Sequence, residues 1–166
     1  LVYRMLFLLK TEEKHLVFAP PASPEERRLQ DLYYAHYSIS RLRRLADSGQ
    51  YIDPDQEDCW QALMLCFRCF EDEEHGGPLG VTPLGSGLFA PGALGTLDGA
   101  SLPNGPLLDV LRRFSTFSNE EGQQMRVNYG DLDVEEFGSV YEGLLELEPY
   151  WHESPEGTRF DFRAGT

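Results

Sequence analysis

Cys59, Cys66 and Cys69, followed by His75, come nearest to a metal-binding set in this chain. Their spacings of seven and three place the thiols along one helical face. A structural zinc site takes four ligands, and only His75 lies close by in sequence, so the thiols read as small apolar residues packed in a core. An odd number of cysteines inside one amphipathic stretch is not the layout of a secreted disulfide framework, and reduced thiols are expected. Glu142 and Glu146, one helical turn apart, could work as general acid and base. With Glu135 and Glu136 beside them, they read instead as the solvated face of a helix. Thr82-Pro-Leu-Gly-Ser-Gly-Leu-Phe89 has the look of a glycine-rich phosphate loop, which needs a strand before it, a helix directly after it and an acid downstream for a ribose. Pro83 precedes the glycines and Pro91-Gly92 follow, so a structural loop is expected. His15, His36, His75 and His152 are dispersed, with no nucleophile and carboxylate arranged around them. The expectation is that these 166 residues contain no catalytic, cofactor-binding or metal-binding residue.

The elements that would position such residues are mostly helical. Val2, Met5, Leu6, Leu8 and Leu9 cover nearly the whole circumference of a helix over 2–10, which belongs in a core. Pro20, Pro21 and Pro24 break it, and a loop follows. Ser38 caps a short helix in which Ile39, Leu42 and Leu45 recur until Asp47-Ser-Gly49 stops it. Asp53-Pro54-Asp55 leads into a further helix striped by Trp60, Leu63, Phe67 and Phe70 and ended by Glu71-Asp-Glu-Glu74. From Gly76 to Gly105 glycine and proline are too frequent for regular structure, which predicts a long functional loop or an irregular packing lid. Asn104 is placed to cap a helix carrying Leu107, Leu108, Val110, Leu111 and Phe114. Asp133-Val-Glu-Glu opens the last helix, with Val134, Phe137, Val140, Tyr141, Leu144 and Leu145 on the 3.6-residue period, acids in its first turn and Pro149 as its terminator. Tyr150-Trp-His and Arg159-Phe-Asp-Phe-Arg alternate around Glu156-Gly157, the pattern of a small hairpin. The fold class is therefore mainly α: an irregular helical domain with a long Gly/Pro-rich loop and a small C-terminal β-hairpin.

Forty-one per cent of the residues are apolar and 12% aromatic, enough to offset the ordering entropy of a single domain. Twenty-eight acids against 14 bases give a net charge of −14, the wrong sign for a surface that neutralises phosphates. Basic clusters at Arg41, Arg43 and Arg44 and at Arg112 and Arg113 fall in apolar-periodic stretches and read as solvated helix faces. The opening run from Leu1 is interrupted by Arg4 and stops at Lys10, short of the roughly 20 apolar residues of a membrane span. It is followed by no signal-peptide cleavage pattern. Beginning at Leu1 in full helical rhythm, the chain reads as a piece of a larger cytoplasmic protein.

One long block carries a resemblance. Asn128-Tyr-Gly-Asp-Leu-Asp-Val-Glu-Glu-Phe-Gly-Ser-Val-Tyr-Glu-Gly-Leu-Leu-Glu-Leu-Glu-Pro149 resembles the segment just upstream of the catalytic core in large adenine-specific DNA methyltransferases. These are the type IIG restriction-modification enzymes and the methylases of BREX- and DISARM-type phage defence. Tyr3-Arg-Met-Leu-Phe-Leu-Leu is similar to an opening helix of that family, Tyr37-Ser-Ile-Ser-Arg-Leu-Arg to a second element, and Leu84-Gly-Ser-Gly-Leu-Phe89 to a glycine-rich turn. Lys10-Thr-Glu-Glu departs from the Ala-Glu-Asp run usual in these proteins. The resemblance implies that the whole protein transfers a methyl group from S-adenosylmethionine to the N6 amine of adenine in DNA. Neither Asn-Pro-Pro-Tyr nor Asp-Pro-Pro-Tyr, the loop that grips a flipped adenine in such enzymes, occurs in this sequence. No catalytic residue carries over, and no cofactor is expected in this segment.

On that resemblance, residues 1–149 form a helical connector domain, and 150–166 form a hairpin leading to a methyltransferase core outside the chain. That core is the expected partner. Phe137, Tyr141, Leu144 and Leu145 are the candidate docking residues, and DNA is met through the rest of the protein rather than chiefly through this segment. Two further readings follow from the residues alone. The −14 charge could serve an acidic interaction module or DNA mimic, favoured if the acids gather on one face at phosphate-like spacing. Glu142 and Glu146 could serve a standalone enzyme.

Overall fold

The computed structural model describes residues 1–50, 52–155 and 157–165. The chain is mainly α, with a long Gly/Pro-rich connection and a C-terminal β-hairpin, and it divides into two units, Leu1–Gly130 and Asp131–Thr166. The last helix thus belongs with the hairpin and not with the helices before it.

In the first unit, helix α1 (Val2–Glu13) buries Met5, Leu6, Leu8 and Leu9 together with Arg4 and Glu12. Helix α4 (Asp58–Glu71) supplies the broadest apolar stripe: Cys59, Trp60, Leu63, Met64, Cys66, Phe67, Cys69 and Phe70 are all buried. Burying a Leu or Phe side chain of this kind contributes about 1.5–3 kcal/mol. Helix α3 (Ile39–Asp47) packs on α1, on α4 and on α6 (Asn104–Ser115), closing the core. Ser38 caps α3 as its sequence predicts, with its hydroxyl accepting from the Arg41 N–H, and Gly49 beyond the helix takes a φ of +63°.

Several local features differ from the sequence reading. The loop expected after the prolines ends at Ser23, where helix α2 (Pro24–Leu32) begins: Ser23 accepts from the Glu26 N–H, Pro24 occupies the first turn, and Glu25 and Glu26 supply its acids. A π-helical turn, Tyr33–Tyr37, joins α2 to α3. Asn104 does not cap its own helix. Its side-chain oxygen accepts from the Cys59 N–H of α4, and its amide donates to the Asp53 carbonyl and the Asp58 carboxylate, so it fixes the start of a different helix. A two-stranded ribbon, β1 (Thr116–Ser118) with β2 (Gln124–Arg126), follows α6. Its turn is held by the Asn119 side chain, which accepts from the N–H groups of Glu121 and Gln123. Arg43 is buried, where a solvated face was expected for Arg41, Arg43 and Arg44. Positions 39, 42, 43 and 46 are the inward i, i+3, i+4, i+7 face of α3, so Arg43 points where Ile39 and Leu42 point, while Arg44 remains exposed.

Between α4 and α6 the chain is irregular but packed. A short helix α5 (Glu73–Gly76), capped by Asp72, is followed by 3-10 turns at Gly77–Leu79, Gly87–Phe89 and Gly95–Gly99. Leu79, Val81, Phe89 and Leu94 are buried. Gly76 sits where a Cβ would fall 2.2 Å from the Cys69 carbonyl oxygen and 2.9 Å from that of Val81. Gly76→Ala is expected to destabilise the chain by about 1–3 kcal/mol through overpacking. That exceeds the roughly 1 kcal/mol that alanine gains over glycine in a helix. Denaturant unfolding measures the difference, and a more stable variant would contradict the contact.

In the second unit, helix α7 (Val134–Leu145) opens on a capping box: Asp133 accepts from the Glu136 N–H, and the Glu136 carboxylate accepts from the Asp133 N–H. The helix ends at Leu145, before Pro149, which lies inside strand β3 (Leu147–Ser154) opposite Phe162 of β4 (Gly157–Ala164). Both strands of this hairpin are edges, and an edge strand tolerates proline. Glu156, read from sequence as part of the turn, lies outside the described residues.

Candidate functional site

The glycine-rich segment is the first candidate, and a buried arginine holds its C-terminal end. Arg4 of α1 is 1% exposed. Its guanidinium donates to the carbonyls of Leu88 (2.7 Å) and Ala90 (3.2 Å) and pairs with Glu71 at the end of α4. It also lies over the rings of Phe67 and Phe89, 5.5 and 5.1 Å from their centroids. Phe89 meets Phe7 and Phe70 edge-on or tilted. The carbonyls of this loop point at a buried cation, and its last residue fills the core. These contacts make Thr82–Phe89 a packing element of unit 1.

The buried titratable groups form a second cluster. The Tyr33 hydroxyl donates to Glu12 (2.7 Å) and lies 4.0 Å from Cys66 Sγ. Glu12 also accepts from the N–H groups of Ile39 (3.0 Å) and Ser40 (2.8 Å), the first turn of α3, where a carboxylate complements the helix dipole. Burial raises the Glu12 pKa above its ordinary value, against the opposing effect of these hydrogen bonds. Burial likewise pushes the Cys66 thiol well up and Cys69 to about 11, so both stay protonated and unreactive at neutral pH. The three cysteines are free and buried, and they face the core along α4. Because Glu12 is raised in the folded state, its contribution to stability is fully present below about pH 4.5 and declines as the pH rises through the folded-state value. Relative to Glu12→Gln, which cannot titrate, the parent chain is expected to lose stability between acid and neutral pH. Paired unfolding curves across that range test the sign, and a difference independent of pH would contradict it.

A third cluster ties the end of unit 1 to its helices. Arg43 pairs with Glu13 and donates to Ser115 Oγ (2.9 Å) and to the Val127 carbonyl. The Arg43 guanidinium lies 5.3 Å from the centre of the Tyr129 ring, whose hydroxyl donates to the Phe114 carbonyl. Glu13 accepts in turn from the Gly130 N–H. These contacts hold Asn128-Tyr-Gly, the end of unit 1. Shallow hollows of ≈ 190 and ≈ 240 Å³ share Phe18, Ala19 and Gln30. Both are smaller than the roughly 300 Å³ at which small-molecule sites begin.

The predicted docking residues all lie on α7. Tyr141 and Leu145 are 46% and 59% exposed, whereas Phe137 and Leu144 are half-buried. Glu142 and Glu146 are exposed. Among the described residues of unit 2, none is buried. Sequence periodicity missed a second apolar surface, on the hairpin. The register pairs Leu147 with Ala164, Pro149 with Phe162 and Trp151 with Phe160, and directly paired residues share a face. Leu147, Trp151, Phe160 and Phe162 therefore line one side, exposed by 43%, 70%, 49% and 53%. Trp151 packs edge-on against Phe160, and Phe160 against Phe162. The signal was present as alternation, Leu-x-Pro-x-Trp opposite Phe-x-Phe, once the register was known.

The chain matches no family model, and neither the curated proteins nor the solved structures contain a match. Among the described residues, no helix is long and apolar enough to cross a membrane.

Proposed function

We propose that this chain is a non-catalytic helical connector of a DNA adenine-N6 methyltransferase of the restriction-modification or phage-defence kind, a cytoplasmic enzyme that uses S-adenosylmethionine. The reading rests on the block Asn128–Pro149 and on the way its residues are used. The leading part, Tyr129 and Gly130, is locked into the finished core of unit 1. The trailing part, Tyr141 and Leu145, offers apolar surface in a unit none of whose described residues is buried. A segment finished at one end and open at the other suits a spacer that is completed by a neighbour, here the methyltransferase core of the same polypeptide. DNA contact, the methyl donor and the flipped adenine all belong to that neighbour.

The alternative of a DNA mimic draws on the net charge, but many acids here have internal partners. Glu12, Glu13, Glu71, Asp47 and Asp58 serve pairs and caps within unit 1, and Asp133 and Glu136 close a capping box. Acids committed in this way are not free to imitate a phosphate ladder, and the connector reading is preferred.

The test is transfer of labelled methyl from S-adenosylmethionine to unmethylated DNA. The full natural polypeptide containing this segment is expected to label the adenine N6 position, while the segment alone transfers nothing. A full polypeptide without adenine methylation, or activity in the segment alone, would overturn the proposal.

A further inference from the structure

Asn104-Gly105 is the only Asn-Gly pair in the sequence, and each of its residues is held by contacts that its neighbours dictate. Asn104 is completely buried. Its side-chain oxygen accepts from the Cys59 N–H (3.0 Å), and its amide donates to the Asp53 carbonyl (2.9 Å) and to the Asp58 carboxylate (2.6 Å). An acceptor and two donors on one short side chain call for an amide, since an ionised carboxyl of the same shape has no hydrogen to donate. Gly105 is fixed by space. A Cβ there would fall 3.2 Å from the Pro54 Cβ, and the Gly105 N–H donates to the Pro54 carbonyl (3.0 Å). The Asn104 N–H donates beside it to the Gln56 carbonyl (2.7 Å). The loop before α4 thus selects both residues. Together they make the dipeptide in which asparagine is chemically least durable, because glycine leaves its amide nitrogen unshielded and its backbone free to turn.

In a free chain the Gly105 amide nitrogen can attack Asn104 Cγ. A C–N bond forms, the bond from Cγ to the side-chain nitrogen breaks, and the Gly105 hydrogen leaves with that nitrogen as ammonia. Water then opens the cyclic imide at either carbonyl, giving aspartate or isoaspartate. In the folded chain both reactants are occupied: the Gly105 N–H is bonded to Pro54, and three hydrogen bonds clamp the Asn104 amide. We propose that Asn104-Gly105 is a spontaneous modification site guarded by the fold, a one-way lock that persists while unit 1 is folded and is lost once the loop over 53–58 lets go. The product does not fit the place that asparagine leaves. A carboxylate at 104 would be buried facing the Asp58 carboxylate and the Asp53 carbonyl, acceptor against acceptor, and an unpaired charge in such a site is strongly disfavoured. Isoaspartate also moves a methylene into the main chain at the first residue of α6. Opening of this region therefore becomes chemically irreversible, and the chain keeps a covalent record of it whatever the activity of the parent polypeptide.

The full chain, held for equal times in mildly alkaline buffer with and without guanidinium chloride, then digested and read by mass, tests the guard. Replacement of the Asn104 amide NH2 by OH is expected to run roughly tenfold or more faster in denaturant, reflecting the protection that folding gives. Asn119-Glu and Asn128-Tyr, which lack the glycine, should stay unconverted in both samples. Equal conversion of Asn104 in the two samples, or conversion no faster than at Asn119, would overturn the proposal. The consequence is read on variants. Asn104→Asp is expected to lower the thermal midpoint by roughly 5 °C or more. Adding Asp58→Asn, which returns a donor to the pair, should recover part of that loss, and should restore folding if the single variant does not fold. An Asn104→Asp chain as stable as the parent would overturn the lock, and so would a double variant no more stable than the single one.

Discussion

Replacing Arg4 by methionine is expected to destabilise unit 1 by about 3–5 kcal/mol, the usual cost of removing one partner of a buried ion pair. Methionine keeps much of the side-chain volume, so most of the loss is electrostatic. Glu71, with only 12% of its side chain exposed, would be left without its cation, and the carbonyls of Leu88 and Ala90 would lose their donor. The damage should be local before it is global: backbone amides across the Gly-rich connection, above all near Phe89, should exchange faster even where the helices persist. Arg4→Met combined with Glu71→Gln should cost less than the sum of the two single changes, because the second removes the stranded charge. Chemical denaturation of the three variants gives the cycle. Additive losses, or a tolerated Arg4→Met, would show that the loop is held by something other than this guanidinium.

Phe67→Ala is the second large effect. Phe67 is fully buried on α4, and its ring lies under the Arg4 guanidinium. Removing it leaves a cavity at the meeting point of α1, α4 and the loop, and about 3–5 kcal/mol is expected for a phenylalanine truncated in such a place. Phe67→Leu fills much of that space and should cost less than half as much. The ordering, rather than either value, is the check. If leucine proved as damaging as alanine, the ring's contact with the cation would outweigh the volume it fills.

Both predictions concern residues whose importance was only half legible in the sequence. The apolar period of α4 marks Trp60, Leu63, Phe67 and Phe70 as core, and they are buried. Nothing in that period says that Arg4, in the middle of an apolar helix, would be enclosed instead of solvated. A charge can be enclosed only where distant groups converge on it, and Glu71, Leu88 and Ala90 are far away along the chain. Arg43 repeats the lesson. Its position on α3 is inward by the same arithmetic that makes Leu42 inward, and the compensating partners Glu13, Ser115 and Val127 come from three separate segments.

Local capping chemistry was readable where it acts within a few residues: Ser38 for α3, and Asp133 with Glu136 for α7. Ser23-Pro-Glu-Glu26 carried the same kind of signal for α2 and was masked by the prolines before it. Asn104 shows where such reading stops, since its side chain caps a helix that begins 46 residues earlier, at Asp58. The candidate site followed the same division. Helical periodicity identified the apolar side of α7, but the aromatic face of the hairpin depends on the pairing of β3 with β4, which only the register fixes.

Hydrogen exchange across 133–164, measured in this chain alone and in a longer natural polypeptide carrying the proposed methyltransferase core, tests the connector account most directly. The account expects amides of α7 and of the hairpin to slow by roughly tenfold or more when the core is attached, with unit 1 little changed. Equal exchange in the two forms would contradict it.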